Sequence, residues 1–236
     1  MKRHMSFLML LARSTVWKLL AIFVLMTAAE FGLAVWRGGS VQGLEQLFRA
    51  SYIRWVFAAA VWGVSTVLYA SQSENGGKLD YTIRRLRIGH RTVFAWQCAY
   101  SVACLLILWG VQLLTALALC RFWLGQQEAY SPQALYLAFY RSEFLHALLP
   151  LDDWTIYVRN LSLFTALGIS CTGAVFWQRQ GKNFFPPWIA MIAAVTAFFP
   201  AEMASVSRDM TWSVAAAFAA LLSVALVFAE EGEYDA

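Results

Sequence analysis

Apolar residues in this chain run in long unbroken blocks separated by short polar and basic punctuation. Stretches free of Asp, Glu, Lys, Arg and His cover 19–29, 55–73, 92–120, 160–178, 183–201 and 210–229, and the first continues to 36 past the single Glu30. A helix needs about 20 apolar residues to cross a hydrocarbon core about 30 Å thick. The blocks predict an all-α, polytopic integral membrane protein with six transmembrane helices, over 17–36, 53–72, 92–120, 157–178, 184–201 and 210–229, in a single transmembrane domain covering 1–236. No Pro or Gly-rich turn divides 92–120, so that block reads as one long, tilted helix.

Two further segments read as interfacial. Stretch 129–149 carries Arg141, Glu143 and His146 in its middle, and each ionised group would cost a few kcal/mol in lipid. Its aromatics Tyr136, Phe139, Tyr140 and Phe144 recur at helical spacing before Pro150, predicting an outer interfacial helix ahead of the fourth span. Residues 1–15 predict an N-terminal amphipathic helix on the inner surface, with Phe7, Leu8, Leu10 and Leu11 toward lipid. The basic start followed by an apolar run is superficially like a signal peptide. The run is too long and no small-x-small cleavage motif precedes Glu30, so a retained first span is expected.

Composition narrows the class. Hydrophobic residues make up 60% and charged residues 14%, with mean hydropathy +0.56, whereas a soluble domain carries about 25% charged residues. That excludes a secreted disulfide scaffold, a disordered tail and an ordinary soluble enzyme. A net charge of +4 would invite a nucleic-acid reading in a soluble protein; here the basic residues count first toward topology, and no nucleic-acid partner is expected. With the N-terminus inside, the inner segments hold eleven basic residues: Lys2, Arg3, Arg13, Lys18, Lys78, Arg84, Arg85, Arg87, Arg91, Arg179 and Lys182. The outer segments hold seven: Arg37, Arg49, Arg54, Arg121, Arg141, Arg159 and Arg208. Both termini are therefore expected in the cytoplasm of a multi-pass plasma-membrane protein, a bacterial inner membrane being the expected setting. Trp17, Trp36, Trp55, Trp123, Trp154, Trp188 and Trp212 cluster at span ends, as interfacial anchors do.

Catalytic chemistry is absent from the pattern. Gly181-Lys182 is the nearest approach to a phosphate-binding loop, but Phe176 stands where the first glycine belongs and Asn183 where Ser or Thr belongs. The four cysteines, Cys98, Cys104, Cys120 and Cys171, form no metal or redox spacing, and His4, His90 and His146 fall on both faces. No catalytic residue, metal site or directly bound cofactor is expected, and the chain reads as no enzyme. Three polar residues inside spans stand out. Glu30 is the one acidic group deep in an apolar run, where an ionisable residue marks a functional position or a structural pair near the outer boundary. Gln97 and Gln112 fall near one face of the third span, lining a substrate path or dimer seam or bonding neighbouring helices.

The most informative stretch follows the second span. Asn75-Gly76-Gly77 is a turn signal, and beyond it Leu79, Ile83 and Leu86 recur at helical spacing among Lys78, Arg84, Arg85, Arg87 and Arg91. A short helix there would offer an apolar ridge with basic flanks to a soluble partner. Here the sequence resembles the membrane subunits (permeases) of type-2 ABC exporters. Glu74, Gly77 and Leu79 are similar to the opening of that family's coupling segment. Leu86, Ile88, Arg91, Thr92, Val93 and Phe94 are similar to the run that leads into its third span. Arg87 stands where the family often has Pro, Gly89-His90 where Ser-Arg is usual, and Gln97 where Lys is common.

The resemblance implies a cytoplasmic coupling helix between spans two and three, contributed by Leu79, Ile83, Arg84, Arg85, Leu86, Arg87, Ile88 and Arg91. It implies a second permease chain, identical or paralogous, and separately encoded ATP-binding cassette proteins that carry ATP and Mg. Cargo would be a hydrophobic or amphipathic drug, peptide or lipid, exported through the membrane. The alternative is a non-transporting scaffold or sensor that binds a cytoplasmic partner, or anionic membrane lipid, through the basic 78–91 loop.

Overall fold

The computed structural model describes residues 2–38, 43–73, 89–125, 132–151, 153–179, 186–198 and 206–229, and among them every regular element is a helix. In chain order these are α1 (Lys2–Gly38), α2 (Leu44–Ala50), α3 (Ile53–Ser73), α4 (His90–Leu124), α5 (Pro132–Arg141), α6 (Glu143–Leu148), α7 (Trp154–Arg179), α8 (Pro186–Phe198) and α9 (Val206–Ala229). Four stretches are long and apolar enough to cross a membrane: Leu8–Gly38, Ile53–Gln72, His90–Leu124 and Trp154–Gln178. The described part of α8, 13 residues, is shorter than a span requires.

Two expectations from sequence change here. The N-terminal segment is no separate interfacial helix: residues 2–38 form one rod of 37 residues. No Gly or Pro interrupts positions 2–31, so nothing in the backbone stops the helix between the amphipathic start and the span. The outer segment 129–149 is not one helix lying on the surface but two, α5 and α6, broken at Ser142, whose backbone is extended at φ −82° and ψ 118°. Phe139, Phe144, Leu145 and Leu148 are buried, with Phe144 stacked against Phe48 and edge-on to Phe57. Of the aromatics expected on its lipid face, Phe139 and Phe144 meet protein while Tyr136 and Tyr140 stay exposed.

Side-chain pairs fix the helix directions. Thr15 pairs with Tyr100 and, further along both helices, Thr27 pairs with Thr115 and Glu30 with Gln112, so α1 and α4 run parallel. Ser101 with Thr172 and Trp109 with Phe164 advance oppositely, so α7 runs against α4. The pairs Ser65–Cys171 and Tyr69–Gln178 set α3 parallel to α7, and Arg159–Asp209 with Ser170–Ser223 set α9 parallel to α7. At one end of the assembly Leu11, Val93, Phe94, Phe176 and Val227 form a single apolar cluster, with Phe94 against both Phe176 and Phe228. The starts of α1 and α4 and the ends of α7 and α9 therefore meet there; it is called the near end below, and the opposite one the far end.

Helix α7 is central, touching α9, α4, α8 and α3, and 72% of its most apolar window is buried. At Gly168 an added Cβ would stand 2.7 Å from Val102 Cγ2 and 2.9 Å from the Val102 backbone nitrogen. The missing side chain is what lets the α4 and α7 backbones approach. Helix α1 is peripheral, with only 22% of its window buried. Its exposed Trp17 and Trp36 are separated by about 28 Å of helix rise, close to a hydrocarbon thickness. Trp55 and Trp154 are exposed in keeping with interfacial anchoring, whereas Trp188 is buried and stacks on Tyr69 with centroids 4.7 Å apart. Cys104, Cys120 and Cys171 are buried, Cys98 is half-buried, and all four are free thiols.

Candidate functional site

Buried polar side chains gather in two layers along the assembly. The near layer joins three helices. Gln72 Nε2 on α3 donates to Ser101 Oγ on α4 at 3.1 Å, Ser101 lies 3.2 Å from Thr172 Oγ1 on α7, and Thr172 donates to the Gly168 carbonyl at 3.1 Å. With Ser101 donating to Thr172, each hydroxyl accepts one proton and gives one, so the chain of bonds closes. Tyr69 adds a bond from its hydroxyl to Gln178 Oε1 at 2.7 Å. Gln97, one turn before Ser101, is fully buried and neither of its amide atoms has a hydrogen-bond partner among the described residues.

The far layer holds the ionisable groups. Arg159 on α7 pairs with Asp209 on α9, Nη1 to Oδ1 at 2.8 Å, with both side chains buried. Arg159 also donates through Nε and Nη2 to Asn160 Oδ1 at 3.3 and 3.2 Å, and Asn160 Nδ2 donates to the Ala147 carbonyl at 2.7 Å. Trp109 Nε1 on α4 donates to the Leu148 carbonyl at 3.2 Å. These two donors satisfy carbonyls that the last turn of α6 leaves open, which ties the outer segment to the spans. His146 is buried beside them, edge-on to Tyr140. Asp153 accepts both the hydroxyl and the backbone N–H of Thr155 at 2.7 and 3.0 Å. Those bonds hold its carboxyl below the usual aspartate range, with lesser help from His146 and Arg159.

On the other side of α4, Gln112 Nε2 donates to Glu30 Oε2 at 3.1 Å, with both residues fully buried. One turn away, Thr27 Oγ1 and Thr115 Oγ1 are 3.4 Å apart. Glu30 Oε1 and Gln112 Oε1 accept no hydrogen bond among the described residues.

Of the residues singled out in the sequence, Glu30 and Gln112 are brought together. Gln97 shares the buried face of α4 but lies about 22 Å of helix rise from Gln112, in the other layer. Arg91 sits in the first turn of α4, exposed, with its guanidinium 5.5 Å from the Phe228 ring centroid. Leu79, Ile83, Arg84, Arg85, Leu86, Arg87 and Ile88 lie outside the described residues. Sequence reasoning missed Arg159–Asp209, because each sits in the opening turns of an apolar helix and counts there as a flanking charge. The Arg159-Asn160 pair just inside the fourth apolar block was the available signal. Among the described residues no three His, Cys, Asp or Glu side chains converge as a metal site.

No family model, no curated protein and no solved structure matches the chain. What stands plainly is an all-helical membrane protein with four helices fit to span a bilayer and two buried polar layers between them.

Proposed function

We propose that this chain is the transmembrane subunit of an ATP-binding cassette transporter, exporting a hydrophobic or amphipathic substrate with ATPase subunits encoded separately. The observation that carries the reading is the near end of the assembly. The starts of α1 and α4 and the ends of α7 and α9 meet there, and Gln72, close to the end of α3, bonds Ser101 of α4. The end of α3 and the start of α4, which flank the basic stretch 74–88 in sequence, lie at the end that also bears Lys2, Arg3, Arg13 and Arg91. A basic surface on one side of a multi-span protein is the cytoplasmic side by the positive-inside rule. Leu79, Ile83 and Leu86 give it an apolar ridge for a cassette groove, while Arg84, Arg85, Arg87 and Arg91 steer acidic groups toward it.

In this reading α8 and α9 belong to the fifth and sixth spans. Helix α9 has 24 residues, runs parallel to α7, and confines Arg208 and Asp209 to its first turn. Six alternating spans leave both termini in the cytoplasm. A second permease chain completes the pathway, and ATP and Mg reside on the cassettes.

The test is purification of the tagged chain in mild detergent from its native host, with mass spectrometry of what accompanies it. A stoichiometric cassette protein is expected, and Ile83→Asp with Leu86→Asp should release it while the chain stays membrane-inserted. Unchanged cassette recovery in the double variant would remove the coupling assignment. A different cytoplasmic partner, or none, would move the function to a non-transporting scaffold.

A further inference from the structure

Where α1 ends and α3 begins, arginines and aromatic rings share one corner of the far end. Arg37, in the last turn of α1, holds its guanidinium 5.2 Å from the Trp36 ring centroid and 5.5 Å from that of Tyr52, the residue just before α3. Tyr52 has φ 54°, in the left-handed region that bulky residues avoid, and no other non-glycine residue among the described ones has a positive φ. The chain turns sharply enough from α2 into α3 to bring the Tyr52 ring back to α1. Two residues after Tyr52, Arg54 has its guanidinium 5.1 Å from the Trp55 centroid. Tyr52 therefore links two cations, Arg37 beside it in space and Arg54 beside it in sequence. Arg49 is exposed in the last turn of α2. Arg121 is exposed in the last turn of α4, two residues before the Trp123 ring that packs on Gly38.

Charge and depth together select the occupant. Residues 31–73 hold three arginines and a single acid, Glu45, and Arg49, Arg54 and Arg121 make no ion pair among the described residues. A ring covers the flat face of a guanidinium, whose N–H groups lie in the plane and meet a phosphate at the edge. Helices α1 and α3 are long and apolar enough to span, so their ends at Gly38 and Ile53 lie at headgroup depth, where the exposed Trp36 and Trp55 belong. From there an apolar track leads inward along α3. Trp62, seven positions after Trp55 and about 10 Å along the helix, is exposed on the same face. A soluble anion or an acidic protein would use the arginines alone. A phospholipid uses both the charge and the track below it.

We propose that the corner formed by Arg37, Tyr52, Arg54 and Trp55 binds one anionic phospholipid, its headgroup held between Arg37 and Arg54 and an acyl chain along Trp55 and Trp62. The site requires α1 and α3 to span the membrane and stands independently of the transporter reading.

The test uses the delipidated full-length chain in detergent. It is titrated with phosphatidylglycerol or, with the same acyl chains, phosphatidylcholine, and bound lipid is counted by native mass spectrometry. One saturable phosphatidylglycerol per chain is expected, held at least about tenfold tighter than phosphatidylcholine. Arg37→Gln with Arg54→Gln should remove that preference. Lys2→Gln with Arg3→Gln takes two charges from the near end instead and should leave it. Arg54→Lys keeps the charge but loses the two-pronged edge, and should weaken binding by a smaller factor; thermal unfolding of the lipid-free variants checks that they fold. Equal affinity for the two lipids would overturn the site. So would equal losses in the two double variants, which would reduce the effect to net charge, or displacement of the lipid by inorganic phosphate, which would mark a site for a free anion.

Discussion

Glu30 and Asp209 are both buried acidic side chains toward the far end of the helices, yet they are partnered in different ways. Asp209 faces the guanidinium of Arg159 at 2.8 Å, which is itself braced by Asn160 and through it by the last turn of α6. Positive and negative charge arrive together when α7 and α9 assemble, and the pair is complete within the chain. Glu30 has an amide for a partner, and an amide supplies a proton but no charge. The first arrangement locks two helices. The second gives a buried acid a neutral hydrogen-bond partner, on a helix far less covered than α7. A buried ion pair is thus structural here, and a buried unpaired acid is where function is sought.

The contrast can be broken most forcefully at the ion pair. Arg159→Met or Asp209→Leu alone leaves a buried charge uncompensated and should cost about 3–5 kcal/mol, whereas the two changes together should recover most of the loss. Unfolding in detergent measures both; a double variant as unstable as the singles would show that the pair does not lock α7 to α9. Next comes the helix contact beneath it. Gly168→Leu drives a side chain into the Val102 backbone and should cost about 1–3 kcal/mol by overpacking; wild-type stability would mean that the two backbones have room to part.

A smaller effect is expected where α7 begins. Asp153 caps its first turn through Thr155, so Asp153→Ala should cost about 1 kcal/mol near neutral pH. Because the folded-state carboxyl titrates lower than a free aspartate, at about 3.9, its contribution is present above that value and fades as pH falls through the depressed one. Wild type and variant should therefore converge in strong acid; a gap that widens there would reverse the assignment. The smallest effect is expected at Glu30. Glu30→Gln keeps the shape and an acceptor oxygen for Gln112, and stability should change by less than about 1 kcal/mol. A loss comparable to that of Asp209→Leu would mean that Glu30 has a counter-charge within the chain after all.

The spanning helices were legible because hydropathy alone sets them: the apolar blocks at 17–36, 53–72, 92–120 and 157–178 fall within α1, α3, α4 and α7. Glu30 and Gln112 were legible as exceptions within such blocks. Their partnership was not, since it depends on α1 and α4 lying parallel and adjacent, a relation between elements that no periodicity encodes. Arg159 and Asp209 were hidden for the converse reason: charges near helix starts are common, and only packing turns a flanking charge into a buried pair. The outer segment misled because Phe139 and Phe144 have the same spacing whether they face lipid or protein. Ser142 followed by Glu143 marks a helix start that the aromatic periodicity overrode.

The unbroken length of α1 has a mechanical side. From Lys2 to Glu30 the helix rises about 42 Å, and from Glu30 to Gly38 about 12 Å. A stiff rod pinned at Leu11, Thr15, Thr27 and Glu30 has no free pivot, so a displacement at its basic start has to be carried as a shift of the whole helix to where Gly38 meets Trp123.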